Sequence, residues 1–234
     1  MHTFLRTKHI IAILGIIALT GCITIEENYT FKKNGSGTME YVIDLSELGD
    51  MMKTLNSAGE GEAKSDGDMG TMDMNDEVAA LKSIPGIGKV KLNTKKDWVQ
   101  RLSFSFKDVT ALNAALNVLM PDSTGVSYPF FRWEGSTLVR TNNRHAYEIG
   151  AGMAKGGDEA DGSEEGDDGL DMSTMLESMK YKYSFKFAKP LGATTTAAGV
   201  LVETRGTKEV GMSTDFGVIS KDPNALDLRI PLAQ

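Results

Sequence analysis

The chain has 234 residues, a formal net charge of −7 and 41% hydrophobic residues, enough for one globular core. The acidic balance argues against nucleic acid as a partner, because phosphate binding needs a concentrated positive surface. A single cysteine excludes a disulfide framework and a thiolate metal cluster, and we assign no metal site and no cofactor from the sequence.

The amino terminus has the parts of an export signal. Arg6 and Lys8 form a short basic region, and an apolar run covers residues 10–19. A helix needs roughly 20 apolar residues to cross a bilayer, so this run is too short to span one comfortably. An uncleaved hydrophobic anchor or a buried helix is the alternative interpretation. The run ends in a motif that resembles the lipobox of bacterial lipoprotein precursors, Leu19-Thr20-Gly21-Cys22.

The lipobox resemblance implies a lipid anchor at Cys22. In that class the cysteine thiol receives a diacylglycerol, the peptide is cut before the cysteine, and the new amino terminus is usually acylated, with a fatty acid such as palmitate. Residues 1–21 are then a signal peptide, and residues 22–234 form the exported protein at a cell-envelope membrane. Ile23 stands where some lipoproteins have an inner-membrane retention aspartate, so we expect the outer membrane.

Two stretches of the exported part are acidic and rich in glycine. They cover residues 57–76 and 150–171. Neither carries enough apolar side chains to offset the entropy of ordering, so we expect flexible insertions in one domain. A calcium-dependent adhesion module is one alternative function that such carboxylate-rich segments allow.

The first half of the exported part alternates between periods typical of strands and helices. Residues 23–31 and 39–43 alternate polar and apolar around a turn at residues 34–37, which predicts a hairpin. Asp44 and then Asp108 are predicted to cap helices, and Pro85 to end a short helix between them. Strands are predicted at 87–95 and 98–106, the second with a single apolar face: Trp98, Leu102, Phe104 and Phe106.

The second half is predicted to contain mainly strands. We expect strands at about 126–134 and 137–142, a short helix near 172–179, and mostly strand from there to the end. Hairpins dominate this order, so the fold class is α+β, with a mainly antiparallel sheet and amphipathic helices on one face. Residues 38–134 are compatible with a ferredoxin-like split β-α-β unit.

No catalytic constellation is evident in the sequence. His145 lies in a polar, loop-like stretch, where we expect a surface side chain, and no glycine-flanked serine marks a nucleophile. Paired carboxylates acting as a hydrolase remain an alternative, but nothing singles out two of the 32 acids. We therefore assign no catalytic residue.

One predicted strand carries an unusual basic face. In residues 180–187 the aromatic side chains alternate with lysines, so the lysines share one side of the strand. A solubilising face is the simpler interpretation, and a face for an anionic ligand is the functional one. The lysines of residues 89–96 would extend it if the two strands are neighbours, and the aromatic residues 128–133 form either core or a binding platform. The candidate anionic-ligand residues are Lys180, Lys182 and Lys186.

The exported domain also resembles the LppM-type envelope lipoprotein domain. The patterns that carry this are Cys22 leading directly into a strand, the turn and strand of residues 34–41, and the strand end of residues 185–190 before a small-residue stretch. The resemblance implies an α+β lipoprotein domain with a suggested lipid or glycolipid ligand and no catalytic residues. The expected function is therefore a non-enzymatic, lipid-anchored envelope protein that binds a lipid, a glycolipid, a polysaccharide or a partner protein.

Overall fold

The computed structural model describes residues 23–57, 73–158 and 172–233. The signal segment, Cys22 and most of both acidic insertions lie outside these ranges. No helix among the described residues is long and apolar enough to cross a membrane. The elements in chain order are β1 Thr24–Phe31, β2 Gly37–Asp44, α1 Ser46–Ser57, α2 Asn75–Ser83, β3 Ile87–Lys96, β4 Val99–Phe106, α3 Val109–Leu119, β5 Phe131–Glu134, β6 Thr137–Arg140, α4 Arg144–Asp158, α5 Met172–Ser178, β7 Lys180–Phe187, β8 Thr195–Thr196, β9 Leu201–Thr204, β10 Glu209–Asp215, α6 Phe216–Ile219 and β11 Leu228–Pro231.

Two sheets make up the domain. The large sheet has seven strands in the order β3-β4-β2-β1-β7-β10-β9, and the small sheet has four in the order β5-β6-β11-β8. Every neighbouring pair is antiparallel except β1 and β7, which run parallel in full register. The predicted α+β class with a mainly antiparallel sheet is confirmed.

The predicted amino-terminal hairpin forms the centre of the large sheet. Strand β1 pairs with β2 along its whole length, from Thr24 opposite Asp44 to Phe31 opposite Gly37. Gly35 closes the turn with a φ of 82°, a backbone conformation that favours glycine. The residues of β1 that alternate toward the core are nearly inaccessible, and the others are partly or fully exposed. We call these two sides the inner and the outer face of the large sheet.

One core joins the two sheets. The inner face of the large sheet packs against the helices and the small sheet, so helices share this face with a second sheet that the sequence did not predict. Helix α3 begins where expected, because the Asp108 carboxylate accepts a hydrogen bond from the Ala111 amide at 2.9 Å. Phe131 of the small sheet lies edge-on to Tyr29 of β1, with 5.0 Å between ring centroids.

Three predicted details differ in the structure. Strand β5 starts at Phe131, so residues 126–130 are not strand. Trp98 does not share the apolar face of β4, because it occupies the β3–β4 turn with a φ of 64°. The first half of the ferredoxin-like unit exists, since β4 lies between the parallel strands β2 and β3, but β5 belongs to the small sheet. The described ends of the acidic stretches, residues 73–76 and 150–158, lie at the start of α2 and in α4.

Candidate functional site

The three lysines of β7 lie together on the outer face of the large sheet, as the strand period predicted. Each has an acidic neighbour on an adjacent strand. Lys180 is 3.9 Å from Asp215. Lys182 is 3.8 Å from Glu26, and Lys186 is 3.8 Å from Glu209. This face is therefore close to electrically balanced, and its role toward an anionic ligand stays a prediction.

Neither the lysines of residues 89–96 nor the aromatic residues 128–133 extend the lysine face of β7. Strand β3, which carries the lysines of residues 89–96, is separated from β7 by β4, β2 and β1. Among the aromatic residues 128–133, Phe130 and Phe131 are buried in the core. Trp133 is half-buried and lies at the end of the domain that contains the β1–β2 turn.

The end of the domain at the β1–β2 turn contains a basic pocket, which is our candidate functional site. The pocket has a volume of about 390 Å³ and lies where the β1–β2 turn, the β5–β6 turn and the end of β7 meet. Its charged lining residues are Lys32, Lys33 and Lys189, and no aspartate or glutamate lines it. All three lysines are exposed. None of them belongs to an ion pair within the described part of the chain.

The floor of the basic pocket is aromatic. Phe31 and Phe187 stack with 5.3 Å between ring centroids, and Trp133 stands edge-on to Phe31 at 6.0 Å. The two phenylalanines end neighbouring parallel strands, which explains why their rings stack. The pocket thus combines unpaired positive charge with an apolar surface.

A larger depression on the outer face has a different charge pattern. Its volume is about 560 Å³, and its floor includes Gly211. Lys182 and Arg205 contribute positive charge there, but Glu26 and Glu203 contribute an equal negative charge. Compared with the basic pocket, this depression offers little net attraction to an anion.

A buried ion pair fixes the two sheets relative to each other. Glu27 of β1 and Arg140 of β6 are both fully inaccessible, and two nitrogens of the guanidinium donate to the carboxylate at 2.6 and 2.9 Å. The hydroxyls of Tyr29 and Tyr181 also donate to Glu27, one to each oxygen. Burial alone would raise the pKa of Glu27, but Arg140 and these hydrogen bonds hold the pKa below its usual value.

The remaining guanidinium nitrogen of Arg140 continues the network. Its Nε donates to the Asn143 side chain at 2.9 Å, and Asn143 donates to Asp227 at 2.7 Å. The guanidinium carbon also lies 5.5 Å from the ring centroids of both Phe131 and Tyr183. With these contacts the buried charge is well compensated, so the cluster holds the two sheets together.

His145 is buried, which corrects the predicted surface position. The residue lies in the first turn of α4 and is only 6% exposed. Because the Tyr181 hydroxyl donates to Glu27, its oxygen accepts from Nε2 of His145, 3.3 Å away. Burial lowers the pKa of His145 to about 4, so the ring is neutral at pH 7.

The hydrolase alternative gains no support from these buried groups. A carboxylic acid that donates a proton needs a raised pKa, and that of Glu27 is lowered. Burial does raise the pKa of Asp227, but this carboxylate accepts from the Asn143 amide. Within residues 23–57, 73–158 and 172–233, no group of three histidine, cysteine, aspartate or glutamate side chains is arranged to hold a metal ion.

Sequence reasoning missed both the buried cluster and the basic pocket. Glu27 occupies an inner position of β1 between Ile25 and Tyr29, and a charged residue at that position is a signal of a buried pair. No comparable signal marks the pocket, because Lys33 and Lys189 are 156 positions apart in the chain.

Comparison with known proteins gives one similarity of fold. No protein-family model matches the sequence, and no match appears among curated proteins. The structure is similar to the folded domain of Mycobacterium tuberculosis LppM, determined by NMR, with a TM-score of 0.47, 12% sequence identity and 92% of each chain covered. At that identity the similarity concerns the fold and transfers no residue roles.

Proposed function

We propose that this protein is a lipid-anchored envelope protein that binds an anionic, partly apolar envelope component, such as a lipid or glycolipid, in the basic pocket. The supporting observation is the combination of three unpaired lysines with an aromatic floor in one pocket. The lysine ammonium groups attract an anionic headgroup, and the rings of Phe187 and Trp133 accept the adjoining apolar part.

The anchor rests on the lipobox at residues 19–22 and on Cys22 being the only cysteine. Its test is the intact mass and membrane fractionation of the full chain beside a Cys22→Ser variant in a bacterial host. We expect a wild-type product that begins at an acylated Cys22, and a variant that is unprocessed or released. An unlipidated wild-type protein that keeps residues 1–21 contradicts the anchor.

The binding site is tested by removing its charge. Each lysine near an anionic membrane contributes about 1 kcal/mol, so we expect the triple variant Lys32→Gln, Lys33→Gln, Lys189→Gln to bind roughly 100-fold more weakly. The assay is binding to vesicles of phosphatidylcholine with phosphatidylglycerol. A Trp98→Phe background leaves Trp133, which lines the pocket, as the only fluorescent tryptophan.

A matched control has the same change of charge elsewhere. The variant Lys180→Gln, Lys182→Gln, Lys186→Gln also removes three positive charges, but from lysines that have acidic neighbours. We expect it to bind like the wild type and to keep its stability, because exposed ion pairs contribute little. Loss of binding in the control alone would move the site to the outer face. Equal loss in both variants would mean unspecific attraction, and either result overturns the pocket.

A further inference from the structure

The end of the large sheet nearest Cys22 forms a continuous row of paired residues. In this proximal row Thr24 lies opposite Asp44 on one side and Lys180 on the other. The row continues outward through Val99 to Lys96, and through Lys180 to Asp215. Lys96 is 3.9 Å from Asp44, and Lys180 is 3.9 Å from Asp215. Its charges are therefore paired, and this end has no strong preference for an anionic surface.

Only Ile23 lies between Cys22 and Thr24 of the proximal row. The carbonyl of Ile23 accepts a hydrogen bond from the Lys180 amide at 2.9 Å, so the residue next to Cys22 is already part of the sheet. The Ile23 side chain also packs against the core. One extended residue spans at most about 3.6 Å, so a lipid on Cys22 holds Thr24, in the middle of the proximal row, within roughly 10 Å of the headgroups.

The basic pocket lies at the opposite end of the same strands. Phe31, in the floor of the pocket, is seven positions after Thr24 on β1. At about 3.3 Å per residue, the two ends of the strand are roughly 23 Å apart. The Debye length at physiological ionic strength is about 8 Å, so Lys32 and Lys189 do not sense the charge of a membrane at the proximal end.

On the basis of the proposed function, we infer that the protein binds its anionic ligand in trans. The proximal row faces the bilayer that holds Cys22, and the basic pocket takes an anionic headgroup from a second membrane surface. The domain then acts as a spacer between the anchoring membrane and the bound ligand.

The test uses the lipidated full-length protein in vesicles of phosphatidylcholine alone. A second population of vesicles contains phosphatidylglycerol, and docking between the populations is measured by energy transfer between lipid dyes. We expect docking, and we expect it to persist when phosphatidylglycerol is also placed in the anchoring vesicles. The Lys32→Gln, Lys33→Gln, Lys189→Gln variant should need roughly 100-fold more protein for the same docking.

The outcomes separate this inference from the proposed function. A short-chain, monomeric phosphatidylglycerol, followed by Trp133 fluorescence in the Trp98→Phe background, reports whether the pocket binds at all. Two results contradict binding in trans and leave the proposed function intact. One is binding of this probe without docking between vesicles. The other is docking that phosphatidylglycerol in the anchoring vesicles abolishes. If neither probe nor vesicle binds, the proposed function fails.

A distance measurement provides an independent check. Acylation blocks the thiol of Cys22, so one introduced cysteine is the only site for a dye. Asp97 lies in the β3–β4 turn beside the proximal row, and the carbonyl of Lys208 accepts from the Phe187 amide at the pocket end. We expect strong energy transfer to headgroup dyes from Asp97→Cys and weak transfer from Lys208→Cys. Equal transfer would mean that the domain lies on its side, which contradicts the inference.

Discussion

At the scale of single residues, the buried charges of Glu27 and Arg140 are fully compensated by each other and by hydrogen bonds. The Glu27 carboxylate accepts four hydrogen bonds, from two guanidinium nitrogens and two tyrosine hydroxyls. Replacing such a pair by apolar residues is often tolerated, whereas removing one partner leaves an uncompensated buried charge. The cluster therefore fixes one arrangement of the sheets more than it adds net stability.

The Glu27→Gln substitution tests this compensation. It keeps the volume but leaves the buried Arg140 without a counter-charge, so we expect the free energy of unfolding to fall by about 3–5 kcal/mol. Urea unfolding provides the measurement. Glu26→Gln is the control, because Glu26 is the adjacent residue but lies on the outer face beside Lys182. Its cost should stay below about 1 kcal/mol, and equal costs would contradict the assigned role of Glu27.

His145 gives stability a defined dependence on pH. Its pKa is about 4 in the folded protein, against an ordinary value of 6.5, because burial disfavours the charged ring. Between these values the unfolded chain binds a proton that the folded protein does not. The free energy of unfolding therefore falls as the pH drops below 6.5, by about 3 kcal/mol when pH 4 is reached. From about one unit above pH 6.5 the residue contributes almost no pH dependence.

The measurement compares wild type with His145→Gln at pH 7 and pH 4.5. Glutamine has no group that titrates in this range, and the carboxylates common to both proteins cancel in the comparison. We expect the wild type to lose about 2–3 kcal/mol more than the variant over this interval. Identical losses would show that the ring is accessible to protons in the folded state.

At the scale of elements, local patterns predicted the β1–β2 hairpin and helices α1, α2, α3 and α5, but not α4 or the short α6. The β1–β2 hairpin and α3 follow from the two-residue period, the turn at Gly35 and the cap at Asp108. The extent of β5 did not follow, because partners distant in sequence decide which residues extend a strand. Trp98 was misplaced for a local reason, since Lys96 pairs with Val99 and leaves Trp98 in the two-residue β3–β4 turn. Distance in sequence also hid the basic pocket, which four separate chain segments build, and the pairing of Arg140 with Glu27, 113 positions apart.

Among the glycines that the structure describes, Gly37 is the one where an added β-carbon would make the shortest contact. A β-carbon there would lie 2.0 Å from the carbonyl oxygen of Thr30 and 2.5 Å from a ring carbon of Phe106. The backbone of the hairpin must shift to accommodate it, so we expect Gly37→Ala to cost about 1–3 kcal/mol or more. The measurement is urea unfolding.

Gly35, in the same turn, provides the contrast. A β-carbon at Gly35 meets nothing within 4 Å, so Gly35→Ala should cost only the strain of its positive φ, about 1 kcal/mol. A larger cost at Gly35 than at Gly37 would contradict the close packing of the β1–β2 hairpin against β4.

At the scale of the whole molecule, the two sheets share one core. Tyr29 and Phe185 of the large sheet contact Phe131 of the small sheet, and the network around Arg140 crosses between them. A continuous core of this kind favours cooperative unfolding, since neither sheet keeps its apolar face covered without the other.

The two tryptophans allow a direct test of this cooperativity. Trp98 lies in a turn of the large sheet and Trp133 in β5 of the small sheet. In Trp98→Phe and in Trp133→Phe, we expect the fluorescence of the remaining tryptophan and the far-ultraviolet circular dichroism to give superimposable urea transitions. Separate transitions in either variant would show that one sheet unfolds before the other.

The parallel pairing of β1 with β7 also determines the order in which the protein is assembled. One edge of β1 pairs with the adjacent strand β2. The other edge pairs with residues 180–187, which are more than 150 positions later in the chain. Until those residues have been synthesised, a central strand of the large sheet has an open edge. Long-range closure of this kind slows folding and exposes the strand to wrong pairing. The pairing edge of β1 therefore stays uncovered until β7 is available.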